Sequence, residues 1–464
     1  MALLHEDRLF PADTDTRGMA RRLYATVRDL HIISPHGHTN AGWFATNEPF
    51  PDPAKLFIQP DHYVHRMLYS QGVRLEDLEI GKAVIEDPRK VWHIFAQHYF
   101  LFRGTPSRLW LDYAFQEHFG MTERLSPDTA DLYFDTIAEK LQTPDFRPRA
   151  LFESFHMELL ATTDAANDPL AEHQAILDSG WKGRVIPTFR PDSVVDPDFP
   201  GFAENIVLLG EQTGEDTDTW AGYLAALRKQ RQRFKAMGAT ATDHGHPTAR
   251  TENLPQDACE QLFTAVCENE ADDDDCEIFR AQMLTEMARM SVEDGLVMQI
   301  HPGSARNHNT GLFQKFGRDM GADIPTPTDY VHGLKPMLDV VGNEPGLTII
   351  LFTLDESTFS RELAPLAGHY PCLRLGPPWW FHDSPEGMMR FRETATETAG
   401  FYNTVGFNDD TRAFLSIPAR HDVARRVDCA FLARKVIEHV LEEDEAFVLA
   451  QELTCNLVRS AYKL

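Results

Sequence analysis

The chain has 464 residues, 42% of them apolar, and a formal net charge of -27 at pH 7. A chain of this length and apolar content can bury a large core, so a folded protein is expected rather than a disordered one, and the strong negative charge argues against nucleic-acid binding. Any anionic substrate would have to be gathered by local arginines against the field of the whole molecule.

The opening residues, MALLHEDRLFPADTDTRG, mix acids and bases and lack the apolar run of a secretory signal. No later segment approaches about 18 uninterrupted apolar residues, the length that a membrane-spanning helix needs. The six cysteines show no CxxC spacing, so reduced, structural thiols are expected rather than a disulfide framework or a cysteine metal site. We therefore expect a cytoplasmic protein with no membrane partner, and oligomeric state is left open, a homo-oligomer included.

Eight short apolar runs along the chain end in polar residues, and helical periodicity lies between or after several of them, as in residues 220–237 and 424–442. The runs are residues 30–34, 157–161, 185–189, 239–242, 296–300, 348–354, 372–375 and 404–407. Repeated strand and helix units predict parallel strands, and eight of them close a barrel. The predicted fold class is therefore α/β, a (β/α)8 TIM-type barrel whose chemistry lies at the carboxyl ends of its strands.

More than a hundred residues separate the first two predicted strands, which is too long for an ordinary strand-to-helix crossover. The segment is rich in aromatic residues and helical spacing. We predict a helical insertion domain over residues 45–150, preceded by an N-terminal segment with the first strand (1–44) and followed by the rest of the barrel (151–464).

The sharpest local motif is Ser34-Pro-His-Gly-His38. Two histidines one residue apart on extended backbone point to the same side, as two ligands of one metal require. His301 ends the fifth predicted strand and Asp410 the eighth, so a barrel would bring them to the same mouth. Imidazole and carboxylate ligands with open positions suit zinc or a similar divalent ion. Taken alone, the histidines are equally compatible with two polar surface residues, and Asp410 with a helix N-cap.

The whole chain resembles the uronate isomerases of the amidohydrolase superfamily. The resemblance rests on a series of segments in barrel-compatible order: His36-Gly-His38, Asp61-His-Tyr63 with Arg66, Phe102 to Leu111, Thr162-Thr-Asp164, Pro187 to Asp192, Thr242 with Asp243-His-Gly245, Met298 to His301 with Arg306-Asn307, Trp379-Trp-Phe381, and Asp410 to Ser416. Each segment is modest support, but together they are specific.

The resemblance implies the site residue by residue. His36, His38 and Asp410 match the metal ligands, His62 and Tyr63 match a catalytic pair supplied by the insertion, and the substrate-binding positions are Arg190, Arg412, Asp243, His301 and Trp379. The family also lacks a nicotinamide or flavin cofactor. Strand four ends in Thr242-Asp243, without the lysine of two-metal relatives, so one divalent metal is expected, with zinc as the leading ion.

The implied activity is the interconversion of D-glucuronate and D-fructuronate, or of D-galacturonate and D-tagaturonate, through an enediol. By resemblance, Asp410 is the general base that assists ring opening, Tyr63 handles the proton at C2, and Arg190 with Arg412 clamps the uronate carboxylate. Three alternatives stay open at this point. Asp409 offers a carboxylate beside the expected ligand, a metal-dependent hydrolase or deaminase fits the same metal residues, and a catalytically silent sugar-acid-binding barrel fits the arginines.

Overall fold

A computed structural model describes residues 3–464, so the first two residues of the predicted N-terminal segment lie outside the described part of the chain. Seven parallel strands were found at predicted positions: β1 (Ile32–Ser34), β2 (Met157–Ala161), β3 (Val185–Ile186), β4 (Ala241–His244), β5 (Val297–Ile300), β6 (Ile349–Leu351) and β7 (Leu373–Leu375). At the eighth position Thr404 forms a parallel bridge to Leu375.

These strands pair in chain order around a barrel. β1 pairs with β2, β2 with β3, β4 with β5, β5 with β6, and β6 with β7. Two short strands, Asp164–Ala165 and Phe189–Arg190, continue β2 and β3, and the second of them links to β4. Two backbone hydrogen bonds join the ends, from the His38 amide to the Thr411 carbonyl (3.1 Å) and from the Asp410 amide to the His36 carbonyl (3.3 Å). The predicted eight-stranded barrel is therefore confirmed.

Successive side chains of each strand point alternately into the barrel interior and outward to the surrounding helices. In β6, Ile350 joins the apolar cluster that fills the barrel interior, while Ile349 and Leu351 pack outward against the helices. The interior cluster also receives Tyr462 from the last helix, whose hydroxyl donates to Gln299 Oε1 at 2.9 Å. The barrel is thus a packed core that leaves only its mouth open for chemistry.

Helices cover the barrel after each strand. They are Ala171–Asp178 after β2; Asp192–Val195, Phe202–Thr213 and Trp220–Ala236 after β3; Gln256–Cys267 and Asp273–Asp294 after β4; Thr310–Phe316, Tyr330–Gly333 and Lys335–Val341 after β5; Ala364–Ala367 after β6; Pro385–Ala399 after β7; and Ile417–Ile437, Glu443–Gln451 and Leu457–Tyr462 near the C-terminus. A first helix, Thr14–Val27, precedes β1 and packs against Ile417–Ile437. Within the described residues, no helix is both long and apolar enough to cross a membrane.

The segment between β1 and β2 is helical, as predicted. Its helices are Ala41–Thr46, Pro53–Phe57, His62–Tyr69, Pro88–His98, Pro106–Tyr113, Ala130–Leu141 and Pro148–Ser154. They pack around a core of aromatic rings, in which Trp92 lies 5.5 Å from Phe95 and 6.1 Å from Phe115. This core is part of a larger cluster that also takes in Ile32 and Met157 of the barrel strands. That residues 45–150 form a domain of their own stays a prediction.

Several predicted boundaries were displaced. The fourth strand extends to His244 rather than ending at Thr242, because its ladder with β5 continues through the polar residues. The eighth run, 404–407, forms only the bridge at Thr404. The predicted helix over 424–442 instead spans Ile417–Ile437. Pro418 stands in its first turn, where no helical hydrogen bond needs the amide hydrogen that proline lacks. All six cysteines are free, as expected.

Candidate active site

A cavity of about 710 Å³ opens at the carboxyl ends of the strands. Its walls include eight of the ten residues that the sequence analysis assigned to the site: His38, His62, Tyr63, Arg190, His301, Trp379, Asp410 and Arg412. The other two, His36 and Asp243, are buried directly behind the wall. Residues up to 376 positions apart in the chain, from His36 to Arg412, are thus brought together, as the barrel topology required.

The three expected metal ligands form a compact group. The Nε2 atoms of His36 and His38 both lie 3.1 Å from Oδ1 of Asp410. One ligand atom from each residue lies within 4.8 Å of the other two. Two imidazoles and a carboxylate are a donor set typical of a divalent metal site.

Local backbone geometry aims these ligands. His36 and His38 follow β1 with one residue between them, and the barrel-closing hydrogen bonds hold them beside residues 410 and 411. Asp410 has a φ of 41°, in the left-handed region that few non-glycine residues adopt. Such strain is typical of functional positions where the surrounding structure fixes the backbone.

The surroundings of Asp410 fit a cation. Its buried Oδ1 accepts no hydrogen bond within the described residues, although both imidazoles are near. Burial raises the pKa of the Asp410 carboxyl, but His36 and His38 outweigh burial and hold that pKa well below its usual range. An ionised, buried oxygen without a hydrogen-bond donor is costly unless a positive charge compensates it. The three residues therefore could hold a metal.

The neighbouring acid is placed differently. Asp409 Oδ2 lies 3.0 Å from Nε2 of His421, and its backbone carbonyl accepts a hydrogen bond from Arg420. The Asp409 carboxyl faces the helix that follows the barrel, whereas Asp410 faces the two histidines. Of the two acids, the geometry selects Asp410 as the candidate ligand.

A second buried cluster surrounds Asp243 on β4. Asp243 Oδ1 lies 2.7 Å from Nε2 of His301 and 3.9 Å from Nδ1 of His36, and its Oδ2 lies 3.3 Å from Nη1 of Arg190. Burial opposes ionisation, but these three groups outweigh it and hold the pKa of the Asp243 carboxyl well below its usual range. Asp243 is completely buried, so it fixes His301, His36 and Arg190 from behind the cavity wall.

The two arginines assigned to substrate binding have carboxylate partners. Arg190 Nε bonds Asp192 Oδ2 at 2.7 Å in addition to its contact with Asp243. Arg412 Nη2 lies 3.0 Å from Asp319 Oδ2. The pairs differ in exposure, because Asp243 is fully buried whereas the side chains of Arg412 and Asp319 are 36% and 39% exposed.

His62 and Tyr63 begin a helix of the insertion that leans over the cavity. Asp61 caps this helix, accepting hydrogen bonds from the amides of Tyr63 (2.8 Å) and Val64 (3.4 Å). The rings of His62 and Tyr63 stack with their centres 4.7 Å apart. Burial and, next, the charge of Arg412 lower the pKa of His62 to about 3, so this imidazole is neutral at neutral pH.

Tyr63 lies next to a cation that sequence reasoning missed. The guanidinium of Arg420 is 5.6 Å from the centre of the Tyr63 ring and 3.6 Å from that of Trp110. Burial raises the pKa of the Tyr63 phenol, and Arg420 opposes that rise. Arg420 is itself paired with buried Asp383, and burial raises the pKa of Asp383 to about 7 although Arg420 opposes it.

Trp379 and Trp380 form the apolar side of the cavity. Trp379 is almost completely buried, with its ring centre 5.0 Å from that of His301, and its Nε1 donates to the Thr353 carbonyl at 3.2 Å. Trp380 is more open and meets His62, with ring centres 5.8 Å apart. An aromatic wall opposite charged groups suits the apolar face of a sugar.

Asp355 and Glu356, which follow β6, make structural contacts outside the cavity. Asp355 accepts hydrogen bonds from its own loop, including the Ser357 amide at 3.0 Å. Glu356 pairs with Arg390 on the surface at 2.9 Å. Neither residue lines the cavity.

Comparison with known proteins matched nearly the whole chain to uronate and glucuronate isomerases. A family model described as glucuronate isomerase matches residues 4–460. A uronate isomerase of Rhizorhabdus wittichii is 65% identical over 461 residues, which are 99% of this chain and 98% of that protein. The crystal structure of glucuronate isomerase from Caulobacter crescentus is 59% identical, with a TM-score of 0.98 over 99% of this chain and 97% of its own. A uronate isomerase structure from Thermotoga maritima is 28% identical, with a TM-score of 0.92 over 99% of both chains.

Proposed function

We propose that this chain, which belongs to the glucuronate isomerase family, interconverts a hexuronate and its ketouronate: D-glucuronate with D-fructuronate, D-galacturonate with D-tagaturonate, or both. The chain is an enzyme, an intramolecular aldose-ketose isomerase. The observation that carries the proposal is the joint placement of His36, His38 and Asp410 with arginines and Tyr63 around one cavity. A hydrolase would use the metal residues but leave the arginines and Tyr63 without a purpose.

The reaction moves two protons, one from C2 to C1 and one from the oxygen at C2 to the oxygen at C1, without net oxidation. The hydrogen at C2 leaves as a proton, its electron pair forms the C1–C2 double bond of an enediol, and the carbonyl oxygen at C1 gains a proton. The hydroxyl at C2 then loses its proton to a base and becomes the new carbonyl, while the electron pair of the double bond takes up a proton at C1. Acid and base groups are sufficient for this sequence, and no nicotinamide or flavin is required.

We assign the proton-handling groups to the cavity wall. Asp410 accepts the proton of the ring hydroxyl when the sugar opens, and Tyr63 handles the proton at C2. Neutral His62, stacked on Tyr63, keeps the phenol in place and can exchange a proton with the sugar oxygens. Arg420, on the ring face of Tyr63, reduces the cost of the phenolate that would accept a proton.

Substrate positioning falls to the other residues. Arg412 and Arg190 bind the uronate carboxylate or an adjacent oxygen, with guanidinium donors suited to carboxylate geometry. His301, held by Asp243 through its Nε2, forms a hydrogen bond with a sugar hydroxyl, and Trp379 covers the apolar face. Fixing the open polyol in this way aligns the C2 hydrogen with its base, which is the main contribution of binding to rate.

His36, His38 and Asp410 would hold one divalent ion, which we propose is zinc because two imidazoles and a carboxylate match its usual ligands. When bound, it would polarise a substrate oxygen. We also propose that the enzyme works in the cytoplasm.

The activity is tested by incubating the purified protein separately with D-glucuronate and D-galacturonate in deuterated water and following the products by NMR. We expect ketouronate to form, with deuterium at the carbon that receives the proton, and we expect Asp410→Asn to abolish formation. Formation without any deuterium would contradict proton transfer through an exchangeable base. No conversion of either sugar by metal-replete, folded protein would exclude the isomerase function.

The metal proposal is tested by the metal content of the protein. Elemental analysis after dialysis is expected to give one zinc per chain, and His36→Ala combined with His38→Ala is expected to remove it. As a matched control, His244→Ala and His246→Ala alter two other histidines separated by one residue, at the end of β4, and should keep the zinc. Retention of zinc by the His36 and His38 variant would place the ion elsewhere.

A further inference from the structure

Residues 317–321, here called the mouth loop, reach across the cavity. Arg318, Asp319 and Gly321 all line it. A Cβ atom at Gly321 would lie 2.7 Å from the His62 carbonyl and 2.8 Å from the Cβ of Arg66, so the loop packs against the helix that carries His62 and Tyr63. On the other side the Arg318 guanidinium lies 4.5 Å from the ring centre of Phe199. The loop thus bridges two walls of the site.

The conspicuous contact of this loop is with a substrate-binding residue. Asp319 Oδ2 lies 3.0 Å from Nη2 of Arg412. Under the proposed function, Arg412 binds the carboxylate of the substrate. In this structure the carboxylate of Asp319 occupies that position. Two carboxylates cannot share one guanidinium face without repelling each other, so an arriving uronate competes with Asp319.

The ion pair between Asp319 and Arg412 is weak enough for another anion to replace Asp319. Both side chains are more than one-third exposed, and ion pairs of this kind contribute little to stability because solvent screens the two charges. The contrast is Arg190, whose partner Asp243 is completely buried. An anion can therefore displace Asp319 at little cost, whereas displacing Asp243 would leave a buried charge unpaired.

The backbone of the mouth loop is equally weakly held. Gly317, Asp319 and Gly321 have φ values of 79°, 65° and 72°, all in the left-handed region. Among the described residues, no amide from Arg318 to Gly321 donates a backbone hydrogen bond. Segments with few internal hydrogen bonds open at low free-energy cost. The loop can move when its one carboxylate loses Arg412.

We propose that Asp319 is a specificity-determining residue, an internal counter-ion that occupies Arg412 until the carboxylate of a sugar acid replaces it. The inference deepens the proposed function and rests on it. A neutral aldose has no carboxylate that could displace Asp319. Arg412 then stays paired with Asp319, and the mouth loop stays closed over the cavity. Selection of sugar acids over neutral sugars then comes from competition as well as from attraction.

The test measures binding without turnover. D-Gluconate, a sugar acid without an aldehyde to isomerise, and D-glucitol, its neutral counterpart, are titrated into the protein and followed by calorimetry. Asp319→Asn keeps the size of the side chain and tolerates the left-handed backbone. It is expected to lower the Kd for D-gluconate by about three- to fivefold, the equivalent of a partly exposed ion pair. The Kd for D-glucitol should stay unchanged.

Asp198→Asn is the matched control, because Asp198 also lines the cavity but its carboxylate pairs with Arg280 instead. It removes the same charge from the rim and should change neither Kd. The proposal is overturned if Asp319→Asn weakens or does not alter D-gluconate binding, if both variants tighten it equally, or if D-glucitol gains as much. Turnover of D-glucuronate is measured separately. If the protein binds D-gluconate as expected but isomerises no uronate, the proposed activity is wrong while the proposal for Asp319 stands.

Discussion

Replacing Tyr63 with phenylalanine is expected to lower kcat by about 10²–10⁴-fold, the usual contribution of a positioned acid or base, while KM changes little. The ring would remain stacked on His62, since only the hydroxyl is removed. Tyr63 is 7% exposed and capped in place by Asp61 through its own amide, so the substitution leaves the helix start intact. The loss should therefore fall on proton transfer and not on sugar binding.

Steady-state rates with the preferred uronate, together with deuterium exchange at C2, measure this effect. Tyr402→Phe is the control, because Tyr402 is 58% exposed and does not line the cavity, and it should turn over at the original rate. Exchange at C2 should slow in parallel with kcat. If Tyr63→Phe kept both the rate and the exchange, another group would have to handle the C2 proton, and the role assigned to Tyr63 would be wrong.

Much of the barrel could be predicted because its signal is local. An apolar run of four or five residues that ends in a polar residue is visible at 157–161 and 296–300, and both became strands with the expected ends. The eighth strand was harder. Residues 404–407 form a single bridge, and the barrel closes instead through backbone hydrogen bonds at residues 36–38 and 410–411, where no periodicity marks the pairing.

The candidate site was predictable where two signals met. His36 and His38 carry their own spacing, and the barrel topology then places strand ends such as Asp410 opposite them. The family resemblance supplied what neither signal held, namely that His62 and Tyr63 reach the cavity from the insertion. Their approach depends on how the helix that begins at His62 packs, which is a tertiary fact.

The missed residues have no local signal. Arg420 lies within a helix whose other residues are mostly buried, and only the fold shows its guanidinium between Trp110 and Tyr63. Asp319 stands in a loop with glycines on both sides, which indicates a turn but says nothing of Arg412 more than ninety residues later. Contacts of this kind arise from packing between distant segments, and a single sequence does not record them.

The second large effect concerns acid stability and two histidines away from the metal ligands. His65 Nε2 donates to the Ile58 carbonyl at 2.9 Å, and its Nδ1 has no partner within the described residues. His118 packs against Phe155 with ring centres 4.7 Å apart, and its buried Nε2 likewise has no partner there. A second proton on either ring would therefore be buried without an acceptor. Burial lowers the pKa of both imidazoles to about 4.

Because these folded-state pKa values lie below the ordinary histidine value of 6.5, the unfolded chain binds protons first as the pH falls. The stability that the neutral rings confer is fully present above pH 6.5 and is lost progressively down to about pH 4, by about 3 kcal/mol for each histidine. Urea unfolding at a series of pH values is expected to show this loss. His65→Gln with His118→Gln should flatten the pH dependence by about 3 kcal/mol per pH unit across the window, whereas His369→Gln, at an exposed position, should leave the slope as it was. An unchanged slope in the double variant would mean that these two rings take up protons equally in the folded and unfolded chain, and acid sensitivity would then have to come from the carboxylates.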